Sequence, residues 1–248
     1  MENNEKKETP DPIEKSINEL FDQSPTARAL QAAGNAVTSS SAEQVEKNIN
    51  TLIPRLKHGH VEGGTPGKVK MMVEGAEQEF DLPVAAQLYG VDLGPDFTCC
   101  FAVDHGTGYQ LLTNGHVAHL NYTRQQLLTR ACGNYLREYQ SKIQVQQTLF
   151  QGVSMIRVDG NTEATTFLFT HLWQQIKEQS KMDRLFVFMP LQDLVLYWNE
   201  LTDETYENMI RTVTETIKNN PQSRNVSDYV YEFVNDRFVS KGKVIGQK

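Results

Sequence analysis

Histidines, cysteines and scattered carboxylates are the residues of this 248-residue chain with types suited to chemistry. Four of the six histidines form two close pairs, His58-Gly59-His60 and His116-Val117-Ala118-His119. Imidazoles three positions apart meet on one metal ion when a helix carries them, but the segment around His116 reads as loop or strand. No Cys/His spacing supplies a four-ligand set, so no metal site is predicted. Asp104-His105 has the types of an acid–base pair. Neighbouring side chains on a strand diverge, however, and aspartate is a favoured turn residue. Ser154 lacks the Gly-x-Ser-x-Gly elbow, because Ile156 stands at the second glycine. Near Cys132 only Arg130 supplies positive charge, too little to activate a thiol. Gly63-Gly64-Thr65-Pro66-Gly67-Lys68 resembles a phosphate loop superficially, but its glycine interval is wrong and Val69 stands where Ser or Thr is needed. Asp193 differs from these. It follows Pro190-Leu191-Gln192 between two apolar runs, where a carboxylate either makes a turn or faces a ligand.

No constellation is complete, so any site must be assembled from separate loops. Its candidate residues are Asp104, His105, Asn134, Asp159 and Asp193. Two functions follow. The first is a binding or interaction module without catalysis, engaging a protein or a small molecule. The alternative is an enzyme of hydrolase or transferase class with a carboxylate and polar site. No cofactor is predicted.

The elements that must position these residues follow from patterning. Residues 1–12 are almost free of apolar side chains and read as disordered, and 13–50 as a helical extension and linker, with Ile13, Ile17, Leu20 and Phe21 at helical spacing. An α+β domain follows over 51–240, and 241–248 reads as a flexible tail. Strands are expected at 51–57, 68–73, 97–103 and 109–112, with Asp104–Gly108 as the turn of a hairpin. Thr123 and Gln126 form a capping box ahead of a helix bearing Leu127, Leu128, Ala131 and Tyr135. Two strands, a half-exposed 143–150 and then 153–158, precede a helix from Asp159 to Gln179. The strongest strand signals are 185–189 and 194–198, the latter followed by a Thr202-capped helix with Tyr206, Met209, Ile210, Val213 and Ile217. A last strand is expected near Tyr229. Hairpins interrupted by helices predict an α+β fold, with a mainly antiparallel sheet and three or more helices packed on it. Trp173, Trp198 and Tyr197 read as core rather than a stacking platform.

Lys and Arg number 24 against 31 Asp and Glu, a net charge of −7. That balance opposes nonspecific nucleic-acid binding. The cluster Arg237, Lys241, Lys243 and Lys248 reads as a solvated tail. Sixteen Asn and 19 Gln explain a polar chain with only 22% charged residues. No apolar run is long enough to cross a membrane, and no leader pattern opens the chain. With three cysteines, two of them adjacent, this predicts a cytoplasmic protein with free thiols and no membrane partner.

Several weak motifs recur in an order that resembles the bacterial YtpQ-like family. They are Ile53-Pro54-Arg55, Leu82-Pro83-Val84, the run from Phe101 to Leu112, Ala131 with Asn134, Val158–Thr165, and Val187–Asn199 with the acidic helix start after it. The resemblance covers about 50–215 and implies a bacterial, cytoplasmic α+β protein. It implies no reaction, cofactor or catalytic residue.

Overall fold

The computed structural model describes residues 45, 48–61, 68–73, 76–82, 84–105, 108–118, 120–219 and 224–245. The expected disordered start and first helix lie outside the described residues. The first sheet and its neighbours comprise β1 (Leu52–His58), β2 (Lys68–Val73), β3 (Ala76–Asp81), β4 (Gly90–Asp92), β5 (Phe97–Asp104) and β6 (Tyr109–Leu111). β1 runs along one edge of β5, while β4 and β6 share its other edge; β2 and β3 form a separate hairpin. Next come α1 (Asn114–Val117), α2 (Arg124–Tyr139), β7 (Gln144–Gln147), β8 (Ser154–Arg157), α3 (Thr170–Gln179), β9 (Phe186–Leu191), β10 (Leu194–Trp198), α4 (Asp203–Asn219), β11 (Tyr229–Val234) and β12 (Arg237–Lys243). The second sheet has the order β12-β11-β9-β10-β8-β7, and the pairings in both sheets are antiparallel. The protein is α+β.

β5 carries no alternation because both of its faces are covered. Phe97 and Cys99 join the second sheet's Val187, Met189 and Tyr231, whereas Ala102 meets Tyr135 and Phe169. In the second sheet, alternation sends Phe188, Leu196 and Trp198 toward Met209 and Val213 of α4. Val187, Met189, Val195 and Tyr197 face Trp173 and Ile176 of α3. Helices therefore cover both faces of that sheet. Among the described residues, no helix is long and apolar enough to cross a membrane.

Several local expectations need correction. The helix expected from Asp159 to Gln179 is a 3₁₀ turn at Glu163–Leu168, then α3. The Asp159 Oδ1 atom accepts from the Asn161 and Thr162 amides, each at 2.9 Å, so it closes a loop instead of starting a helix. The segment around His116 is a helical turn, with His116 Nδ1 accepting from the Thr113 amide at 3.0 Å. His119 lies outside the described residues. β7 is exposed throughout, Val145 included at 54%, because it is an edge strand with no helix over it. The capping box at Thr123 and Gln126 forms as expected.

The largest local difference is β12, which takes up most of the predicted basic tail. Asn235 and Asp236 both adopt positive φ, 50° and 57°, making the two-residue turn that folds Arg237–Lys243 back on β11. Lys241 pairs with Glu232 at 3.0 Å and Lys243 with Asp228 at 3.2 Å. Arg184, bonded at 2.8 Å, and then Lys241 hold the Glu232 carboxyl down at about 2. A depressed carboxylate pKa contributes stability that is present above its unfolded value and lost as pH falls through the folded one. Glu232→Gln is therefore expected to flatten the acid limb of the stability curve between about pH 5 and pH 2. Superimposable urea titrations of the variant and parent across that range would contradict it.

Candidate functional site

β1 sets the site up by alternation. Leu52, Pro54 and Leu56 take one face, leaving Ile53, Arg55 and Lys57 on the other. β6 does the same with Tyr109 and Leu111. A cavity of about 550 Å³ opens where this face meets the second sheet, and all four of Arg55, Lys57, Tyr109 and Leu111 line it. The end of α2 adds Tyr139, the loop after β8 adds Asp159 and Asn161, and the β9–β10 turn adds Gln192. Arg224, ahead of β11, completes the wall opposite.

Arg55 is the centre of this arrangement. It is only 3% exposed, a costly position for a charge. Its Nη2 donates to Gln192 Oε1 at 2.6 Å, and Gln192 Nε2 donates to the Leu56 carbonyl at 3.0 Å. One buried amide thus ties the two sheets together and orients the guanidinium. The Tyr109 ring lies 4.4 Å from the guanidinium carbon. The Nη1 atom is buried and has no hydrogen-bond partner among the described residues. Burial lowers the Arg55 pKa, the nearby Arg224 charge adds to that, and Tyr109 and Asp159 act the other way.

The carboxylates of the cavity are engaged. Asp159 Oδ1 takes the two loop amides and the Thr162 hydroxyl, at 2.9 Å. Asp104 Oδ2 accepts from the Tyr139 hydroxyl at 3.2 Å. Burial, then a hydrogen bond with Tyr109, pushes the Tyr139 pKa up. Asn161 Oδ1 accepts from Arg224 Nη1 at 3.2 Å.

Two of the five sequence candidates, Asp104 and Asp159, therefore line one cavity. The other three do not. His105 is exposed, with Nε2 3.2 Å from Gln110 Oε1. Asn134 is buried in α2 and donates to the Ile49 and Leu52 carbonyls at 3.2 and 2.9 Å, anchoring the start of β1. Asp193 is exposed at the β9–β10 turn, and its neighbour Gln192 is the residue turned inward. Sequence reading passed over Arg55, Gln192, Arg224, Tyr109 and Tyr139. An arginine at the i+2 position between Ile53 and Lys57 was the one available signal.

A second group, His58, Asp96 and Asp228, brings three ligand atoms within 4.8 Å. Its carboxylates are committed elsewhere. Asp96 accepts from the Ser227 hydroxyl at 2.7 Å and the Asp228 amide at 2.6 Å, and Asp228 pairs with Lys243. The group ties the turn before β5 to the start of β11 and is accounted for structurally. Comparison of the chain with protein-family models, with curated proteins and with solved structures returned no match.

Proposed function

We propose that the protein is a binding module that takes a small polar molecule into the cavity between its sheets and does not transform it. The observation that carries this reading is Arg55: buried, oriented by Gln192 and Tyr109, and left with a nitrogen that has no partner among the described residues. A stability-driven design would not retain such a group, because an apolar residue of similar volume serves a core at least as well. The cavity also falls within the range of about 300–1,000 Å³ usual for small-molecule sites. Serine, cysteine and histidine are missing from its described lining, and hydrogen bonding to Glu138 keeps Lys142 protonated. These features favour holding over chemistry.

One contact favours the alternative, an enzyme: the Tyr139 hydroxyl donating to Asp104 has the arrangement of a proton relay. The segments resembling the YtpQ-like family supply eight of the twelve lining residues, among them Arg55, Tyr109 and Gln192. Membership in that family, which we also propose, would place the cavity within the segments that carry the resemblance. A cytoplasmic location fits the three free thiols, of which Cys100 and Cys132 are pushed up to about 11 by burial and so are unreactive.

Gly108 gives a direct test, since a Cβ built there meets nothing within 4 Å. Gly108→Trp is expected to crowd the cavity without unfolding the chain. The parent protein, purified natively from its own host and then denatured, should release a small molecule detectable by mass spectrometry. The variant should release at least tenfold less, at an unchanged melting temperature. Equal release from both proteins, or none from the parent, would refute the binding reading.

A further inference from the structure

We infer that the ligand is an oxyanion, a carboxylate or phosphate group on a small molecule, held between Arg55 and Arg224. This rests on the binding reading and adds the charge of the ligand to it.

The first argument is local charge. Arg55, Lys57, Lys142 and Arg224 line the cavity against Asp104 and Asp159; with Lys142 paired to Glu138 at 2.7 Å, three cations face two carboxylates in a chain of net charge −7. A cationic excess at one concave place on an acidic protein is a field that attracts and retains anions. The second argument is hydrogen bonding. Asp159 is occupied by its own loop, and Asp104 takes the Tyr139 hydroxyl, whereas Arg55 Nη1 is a buried donor with no acceptor among the described residues. What Arg55 Nη1 lacks is therefore an acceptor, and one that carries negative charge meets the guanidinium's charge as well. A ligand without an acceptor leaves Arg55 Nη1 unpaired, and a cationic ligand adds a further positive charge. The third argument is mutual repulsion, since the Arg224 charge disfavours that of Arg55, and an anion between them relieves it.

Access to Arg55 needs one adjustment. Its Nη1 is out of solvent reach, so a ligand oxygen comes into bonding distance only when a wall residue gives way. Tyr109 is the wall residue placed to do so: it is half-buried on a three-residue edge strand, and its displacement exchanges its stacking on Arg55 and its hydrogen bond with Tyr139 for the ligand. Its ring then closes over the bound group, excluding water from a charge-assisted hydrogen bond.

Amide NMR spectra of the full chain, titrated separately with inorganic phosphate, succinate, glycerol and putrescine, test the inference. Phosphate or succinate should shift the Gly108, Tyr109 and Asn161 amides saturably, while glycerol and putrescine leave them in place. A response to phosphate alone identifies a phosphate ligand, and a response to succinate alone a carboxylate. Arg224→Gln, at an exposed position, should weaken that binding about tenfold. Arg55→Lys, which keeps the charge but loses the fork, should weaken it too. Lys218→Gln, at an exposed position on α4, should change nothing. If glycerol or putrescine binds and neither anion does, or if Arg224→Gln binds as tightly as the parent, the oxyanion inference falls while the binding reading stands. If none of the four probes shifts these amides the oxyanion inference falls, and if the native protein also releases no ligand the binding reading falls with it.

Discussion

Glu163→Ala is expected to lower the unfolding free energy by about 3 kcal/mol, through lost hydrogen bonds to the backbone. Glu163 is fully buried at the start of the 3₁₀ turn. Its Oε1 accepts from the Val158 amide at 3.0 Å and the Gly160 amide at 2.7 Å. Truncation strands both donors in a partly buried loop, and each stranded donor costs about 1–3 kcal/mol. Glu163→Gln separates this effect from charge. The amide oxygen still accepts both bonds, while the NH2 takes the place of Oε2, which is buried without a partner among the described residues, so the glutamine variant should lose less than the alanine one, about 1–2 kcal/mol. Urea denaturation of the three proteins decides the point. Equal midpoints for parent and alanine variant would show that the loop does not depend on this side chain. The consequence reaches the cavity, because the same loop presents Asp159 and Asn161 to its wall. An alanine variant that still folds should bind more weakly for that reason.

A second large loss is expected at Trp173, where alanine should cost about 4 kcal/mol. The side chain is packed between α3 and the second sheet, and it is the largest of the fully buried side chains. Its ring meets Tyr197 and Phe238 edge-on, with centroids 5.9 and 5.8 Å apart. Its Nε1 donates to the Thr166 carbonyl at 2.9 Å, linking α3 to the 3₁₀ turn across the break at Phe169. Alanine leaves a void that the rigid sheet cannot fill, and a Thr166 carbonyl with the Phe169 amide as its remaining donor. Trp173→Phe retains most of the packing and loses the hydrogen bond, so its cost should be about 1–2 kcal/mol. Out of a typical stability of about 5–15 kcal/mol, that loss removes between about a quarter and four-fifths of the total. Chemical denaturation with near-ultraviolet circular dichroism would measure both variants. A phenylalanine variant as unstable as the alanine one would shift the weight from packing to the hydrogen bond.

The candidate site was only partly legible, and the residues show why. Asp104 and Asp159 were singled out as polar groups at the ends of strands, and both line the cavity. Asp193 was singled out on the same grounds, yet the turn rotates it outward and turns Gln192 in. One position decides such a case, since successive residues in a turn or strand face different ways. Asn134 has the chemistry of a site residue but spends it on two backbone carbonyls of the β1 approach. Arg55 escaped notice because an arginine in a strand reads as a solvated charge. Its burial depends on Gln192, 137 residues away in the chain. β12 escaped because the turn Asn235-Asp236 lacks the glycine that usually marks such a reversal.

Hairpins, helix caps and the α+β class rest on contacts between near neighbours, and these are written in patterns a few residues long. The capping box at Thr123 and the alternation in β9 and β10 are of this kind. The tertiary structure alone decided that the fold divides into two sheets and that β1 of one meets the β9–β10 turn of the other. It also decided that an arginine, a glutamine and two tyrosines from four separate segments surround one cavity. The physical reason is that burial is a property of the assembled core. A side chain's energy depends on every element packed around it, and no local window of residues contains them all.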